Sequence, residues 1–149
     1  MNEQVLSIEQ MSTLINLGID YSNASVEVGY INFVEHYFDG DSSDIEFGIC
    51  FFKPDGTKPT NLCSSYKSFT THDLMMLLPD RITIKNNGDE EKDEKYKLKI
   101  TALALKHWAV EYECHSNKYF LIATYSTNLI DALFDMVVKC VKNGYIKTK

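Results

Sequence analysis

Hydrophobic and polar positions change their spacing along this chain, and the changes divide it into helical and extended stretches. Ile8, Met11, Leu14 and Ile15 recur at helical intervals and predict a first helix from about Ile8 to Leu17. Ser7 and Gln10 have the three-residue offset of a capping box, and Leu6 and Met11 are placed to close a hydrophobic staple over it. Gly18 supplies the left-handed residue that ends the helix. Val26, Val28 and Tyr30 alternate with Glu27 and Gly29, the period of a half-buried strand. Ile45, Phe47, Ile49 and Phe51 repeat that period, and the polar run Asp39 to Asp44 between the two predicts a hairpin with a long connection.

A second short helix is expected after Thr70, with Asp73 completing a capping box, Phe69 and Leu74 forming a staple, and Pro79 as the stop. A brief strand over Arg81 to Lys85 leads into Asn86 to Glu94, which holds no apolar residue and reads as a solvated loop. Three alternating runs follow, Tyr96 to Ala102, Trp108 to Cys114 and Lys118 to Tyr125, joined by short connections that favour an antiparallel meander. The closing helix spans about Leu129 to Lys142, with Asn128 as cap and Leu129, Leu133, Met136, Val137, Cys140 and Val141 along one face. Trp108 and Leu133 are expected in the core. The fold class that results is α+β: a mostly antiparallel sheet with a long C-terminal helix and two shorter helices packed on one face.

Composition fits one domain over residues 1–149, with 44% hydrophobic and 24% charged residues. The four cysteines, Cys50, Cys63, Cys114 and Cys140, form no C-x-x-C pair and suit a reducing compartment. No basic-then-apolar leader opens the chain and no run is long enough to cross a bilayer, so a cytoplasmic protein without membrane contact is expected. A net charge of −6 disfavours nucleic acid as a partner, because phosphate binders draw their affinity from a basic face. Lys97, Lys99 and Lys106 make only a thin basic patch.

Motifs that would carry chemistry are incomplete. Asp55-Gly56-Thr57 matches the end of a phosphotransfer loop, but Lys53 stands where the nucleophilic aspartate belongs, so a turn is expected. Asp39, Asp41 and Ser43 open like a calcium loop, yet Asp44 and Cys50 replace its glycine and its bidentate glutamate. His36, His72, His107 and His115 lack metal-ligand spacing, with His72 and His107 expected at the surface. Cys63 is the cysteine in the least apolar context and so the best of four weak candidates for a nucleophile. No phosphate-binding glycine loop and no nucleophile elbow is present. The expectation is therefore no catalytic, metal or cofactor-binding residue and no cofactor.

Aromatic residues are abundant, and a minority of them could form an interaction surface. Tyr30, Phe33, Tyr37, Phe38, Tyr145 and Ile146 are the candidates, the last two docking either on the core or on a second subunit. The leading expectation is a non-catalytic accessory protein that binds another protein or itself. Two alternatives are an enzyme with a site assembled from scattered residues, and an acidic mimic of nucleic acid that inhibits a host protein. The stretches Leu17 to Ser25, Phe69 to Pro79, and Asn128 to Leu133 with Asn143 to Thr148 together resemble small uncharacterised proteins encoded by gut Bacteroidales and by their phages or mobile elements. That resemblance implies a bacterial or phage-infected cytoplasm and carries no activity.

Overall fold

The computed structural model describes residues 5–34, 45–86, 88 and 90–148. Its helices begin where side chains can satisfy the free backbone N–H groups. Helix α1 (Ile8–Asn16) is closed by Ser7 and Gln10 in a reciprocal capping box, and α2 (Thr71–Leu77) by Thr70 and Asp73 in another. Helix α3 (Leu129–Lys142) starts at Asn128, whose side chain accepts from the Ile130 N–H, and carries Asp131 in its first turn and Lys139 and Lys142 in its last. Gly18 and Gly144 adopt φ of 87° and 77° just past α1 and α3, the left-handed turn that a side chain resists.

Among the described residues, seven strands form two antiparallel sheets rather than one. The first has the order β2-β1-β3, with β1 at Val26–Val34, β2 at Ile45–Phe52 and β3 at Leu62–Ser68. The expected hairpin is present, with Val28 opposite Phe51 and Tyr30 opposite Ile49. Strand β3 was not legible from the pattern. Its sequence, Leu-Cys-Ser-Ser-Tyr-Lys-Ser, is mostly small and polar, as an edge strand paired on one side only allows. The second sheet is the expected meander extended by one strand, in the order β4 (Arg81–Ile84), β5 (Glu94–Ala102), β6 (Trp108–Cys114), β7 (Phe120–Ser126).

Helix α3 covers the inner face of this second sheet, chiefly over β6 and β7, and α2 packs against α3. Leu133, Met136, Val137 and Cys140 are fully buried there, together with Val110 and Tyr112 of β6 and Leu14 of α1. At roughly 25 cal/mol per Å² of apolar surface, each such side chain contributes about 1.5–3 kcal/mol. Polar atoms inside this core are paired: the Thr124 hydroxyl donates to the Ala132 carbonyl at 2.7 Å and the Tyr112 hydroxyl to that of Pro79 at 2.6 Å. Trp108 is only half-buried, at the start of β6, which corrects its expected place in the core.

The segment before α1 ties the first sheet to the rest. Its Val5 bridges to Thr70, the Leu6 N–H donates to the Phe69 carbonyl at 3.1 Å, and the Leu6 carbonyl accepts from Ser68 at 2.8 Å and Tyr66 at 3.2 Å. Asp55-Gly56 lies in a turn, as expected, with the Gly56 N–H bonded to the Lys53 carbonyl at 2.9 Å. Among the described residues no helix is long and apolar enough to cross a membrane.

Candidate functional site

Because strand side chains alternate, covering one face of the four-stranded sheet with α3 leaves the other face to whatever the odd positions carry. On β5 these are Lys95, Lys97 and Lys99, all exposed and spaced about 7 Å apart by strand geometry. The register sets Arg81 of β4 on one side of Lys97 and Glu113 of β6 on the other. Lys99 lies opposite Glu111, and its ammonium reaches the Glu113 carboxylate at 3.3 Å. On β7 the same face carries Phe120 opposite Glu113 and Tyr125 opposite Ala109, 49% and 57% exposed. Tyr119 beside them is 71% exposed.

The face is therefore graded. Four cations occupy β4 and β5, two carboxylates occupy β6, and aromatic rings occupy the β7 edge. A depression of about 600 Å³ lies along its basic side, lined by Arg81, Lys95, Lys97, Lys99, Glu113 and His115 among others. Glu111 is almost fully buried and accepts from the Tyr125 hydroxyl at 3.2 Å. Burial and that carboxylate together push the Tyr125 phenol above its ordinary pKa. Among the described residues Arg81, Lys95 and Lys97 have no carboxylate within ion-pair distance, so their charges face solvent.

Of the residues proposed from sequence as an interaction surface, only Tyr30, Tyr145 and Ile146 have described side chains. Tyr30 is half-buried in β1, its ring 6.5 Å from that of Tyr66, at the floor of a separate cleft beneath α1. Tyr145 and Ile146 fold back on their own core, their N–H groups bonded to the Cys140 carbonyl at 2.8 and 3.3 Å. Phe33 lies in β1 opposite Glu46, with its side chain outside the described residues, as are Tyr37 and Phe38 altogether. The calcium-like run from Asp39 to Asp44, and His36, also fall outside them. Of the thin patch foreseen from Lys97, Lys99 and Lys106, the first two stand on the open face and Lys106 sits in the β5–β6 turn. Arg81, Lys95, Phe120 and Tyr125 were missed. Lys95 lies two positions before Lys97 on β5 and shares its face by alternation alone, whereas only strand order brings Arg81, Phe120 and Tyr125 to that surface.

The chemistry-bearing side chains stand apart from one another. Cys63 is exposed, and Cys114 and Cys140 are buried. Hydrogen bonds from Ser116 hold the Cys114 thiol below its usual pKa, against burial, whereas burial pushes Cys140 up to about 11. His72 and His107 are exposed, His107 lying just before β6 with its Nδ1 3.0 Å from the Leu105 carbonyl. Among the described residues no three of His, Cys, Asp and Glu converge as metal ligands would. A shallow groove between β7 and α3 holds Tyr125 and Asp135, both with raised pKa, Asp135 through burial and the neighbouring Asp131. The Tyr125 hydroxyl is committed to Glu111, so it does not form an acid–base pair with Asp135. Comparison with protein-family models, with curated proteins and with solved structures finds no match to this chain.

Proposed function

We propose that this chain is a non-catalytic accessory module that binds an acidic segment of another protein on the open face of its four-stranded sheet. The observation that carries the reading is the row Lys95, Lys97 and Lys99, flanked by Arg81 and by exposed aromatic rings on β7. An extended peptide with acids at alternate positions repeats about every 7 Å, the spacing of the lysine row. Aromatic rings at the β7 edge add apolar area where interfaces concentrate their energy. The resemblance noted above extends the proposal to a phage or mobile element acting in a bacterial cytoplasm.

A photo-crosslinking residue in place of Tyr125 tests this, with Met76, 73% exposed on α2, as the control position. In host lysate the Tyr125 position is expected to give a discrete protein adduct that disappears in high salt and in a Lys95→Glu, Lys97→Glu double variant. Adducts that survive the double charge reversal, or that form equally from position 76, refute the reading.

A further inference from the structure

We propose that the cleft beneath the start of α1 is a binding site for a small organic cation, an amine or a quaternary ammonium group. The cleft encloses about 400 Å³, within the range of small-molecule sites, and lies well away from the lysine row. Its floor is one face of the three-stranded sheet: Tyr30 and Ile49 paired across β1 and β2, with Phe51 and Tyr66 beside Val28. Its walls are the first turns of α1 and α3, which bring Glu9 and Asp131 to the rim.

Three features select a cation. Among the described residues no lysine, arginine or histidine lines the cleft, so neither carboxylate is answered by a described basic side chain there. The Tyr30 and Tyr66 rings, 6.5 Å apart and tilted by 34°, both line the cleft, the kind of aromatic surface that attracts a cation lying over a ring within about 6 Å of its centroid. Among the described residues the Glu9 carboxylate has no hydrogen-bond or ion-pair partner, while Asp131 is fixed by the Gln10 amide at 2.8 Å. Glu9 also acts on the floor: burial, then Tyr30 and Glu9, raise the Tyr66 phenol above its ordinary pKa. Both acids complement a helix dipole, which accounts for their positions in the first turns but not for the aromatic floor between them. Ile8 and Ile49, 46% and 50% exposed, offer apolar contact for the carbon part of the ligand.

Choline and 3,3-dimethyl-1-butanol, its uncharged isostere, are the probes, titrated into the full chain with amide and tyrosine ring signals followed by NMR. Choline is expected to give saturable shifts at Tyr30, Tyr66 and Glu9, and the neutral isostere to bind about fivefold or more weaker. Glu9→Gln, an exposed and conservative change, is expected to erode that preference while leaving the spectrum folded. Equal affinity for the two probes, no saturable shift in the cleft, or a preference unchanged in Glu9→Gln overturns the proposal. Shifts confined to the lysine row would likewise overturn it, and none of these outcomes bears on protein binding by the sheet.

Discussion

Replacing Leu133 by alanine is the most direct test of how the core is built. Its side chain is fully excluded from solvent on the face of α3 that meets β6, β7 and α2. The change removes three carbons, worth about 2.4 kcal/mol in transfer free energy at ~0.8 kcal/mol each. Its surroundings are strands held in a ladder and helices fixed by caps, so the void left behind collapses incompletely and adds a cavity cost. Alanine's slightly better helix propensity offsets only a few tenths. The expected loss is about 3–4 kcal/mol, a large share of the roughly 5–15 kcal/mol that holds a domain together. For a chain of this size that corresponds to a fall in Tm of roughly 6–16 °C. Urea denaturation followed by circular dichroism measures it, with an unchanged m-value showing that the same surface is still exposed on unfolding. Met76→Ala, on an exposed position of α2, is the control and is expected to stay within about 0.5 kcal/mol of the parent. A Leu133→Ala loss below about 1 kcal/mol would refute the packing of α3 on the sheet.

Two further outcomes follow from local features. Leu105 is 88% exposed with φ of 59°, a left-handed conformation that asparagine adopts more readily than leucine, so Leu105→Asn is expected to raise stability by up to about 1 kcal/mol in the same urea assay. A loss of stability would show that this turn is not strained. Asp73 is pulled up by partial burial but more strongly held down by hydrogen bonds from Ser25 and Thr70, leaving its folded pKa below its unfolded value of about 3.9. Its contribution is therefore complete above pH ~4 and is lost as pH falls through the lower folded value. Asp73→Asn is expected to melt below the parent at pH 7 and to converge with it at strongly acid pH; a gap that stays constant across the range would contradict the assignment.

The sequence was most readable where local chemistry and burial agree. Ser7 with Gln10 and Thr70 with Asp73 announce helix starts because the same side chains that appear in the pattern make the capping bonds. The meander was readable because β5 and β6 alternate and their turns are short. Strand β3 was hidden by its serines, since an edge strand needs no apolar period to be held in a ladder. Trp108 was misplaced because size and hydrophobicity argued for burial, while its place as the first residue of β6 leaves it half-buried. The candidate face was half visible. Lys97 and Lys99 could be seen as neighbours and Lys95 continues their alternation on β5, but Arg81 joins them, and the aromatic residues of β7 face the same way, only through cross-strand register, which no single stretch of sequence records.

Residues 129–142 form a wall of the core for α2 and for two strands that precede them in the chain. During synthesis, which runs from the other end, β6 and β7 emerge with their apolar sides open to water until that helix has cleared the ribosome. Nascent chains halted short of it should therefore behave as chaperone and protease substrates rather than as smaller folded proteins.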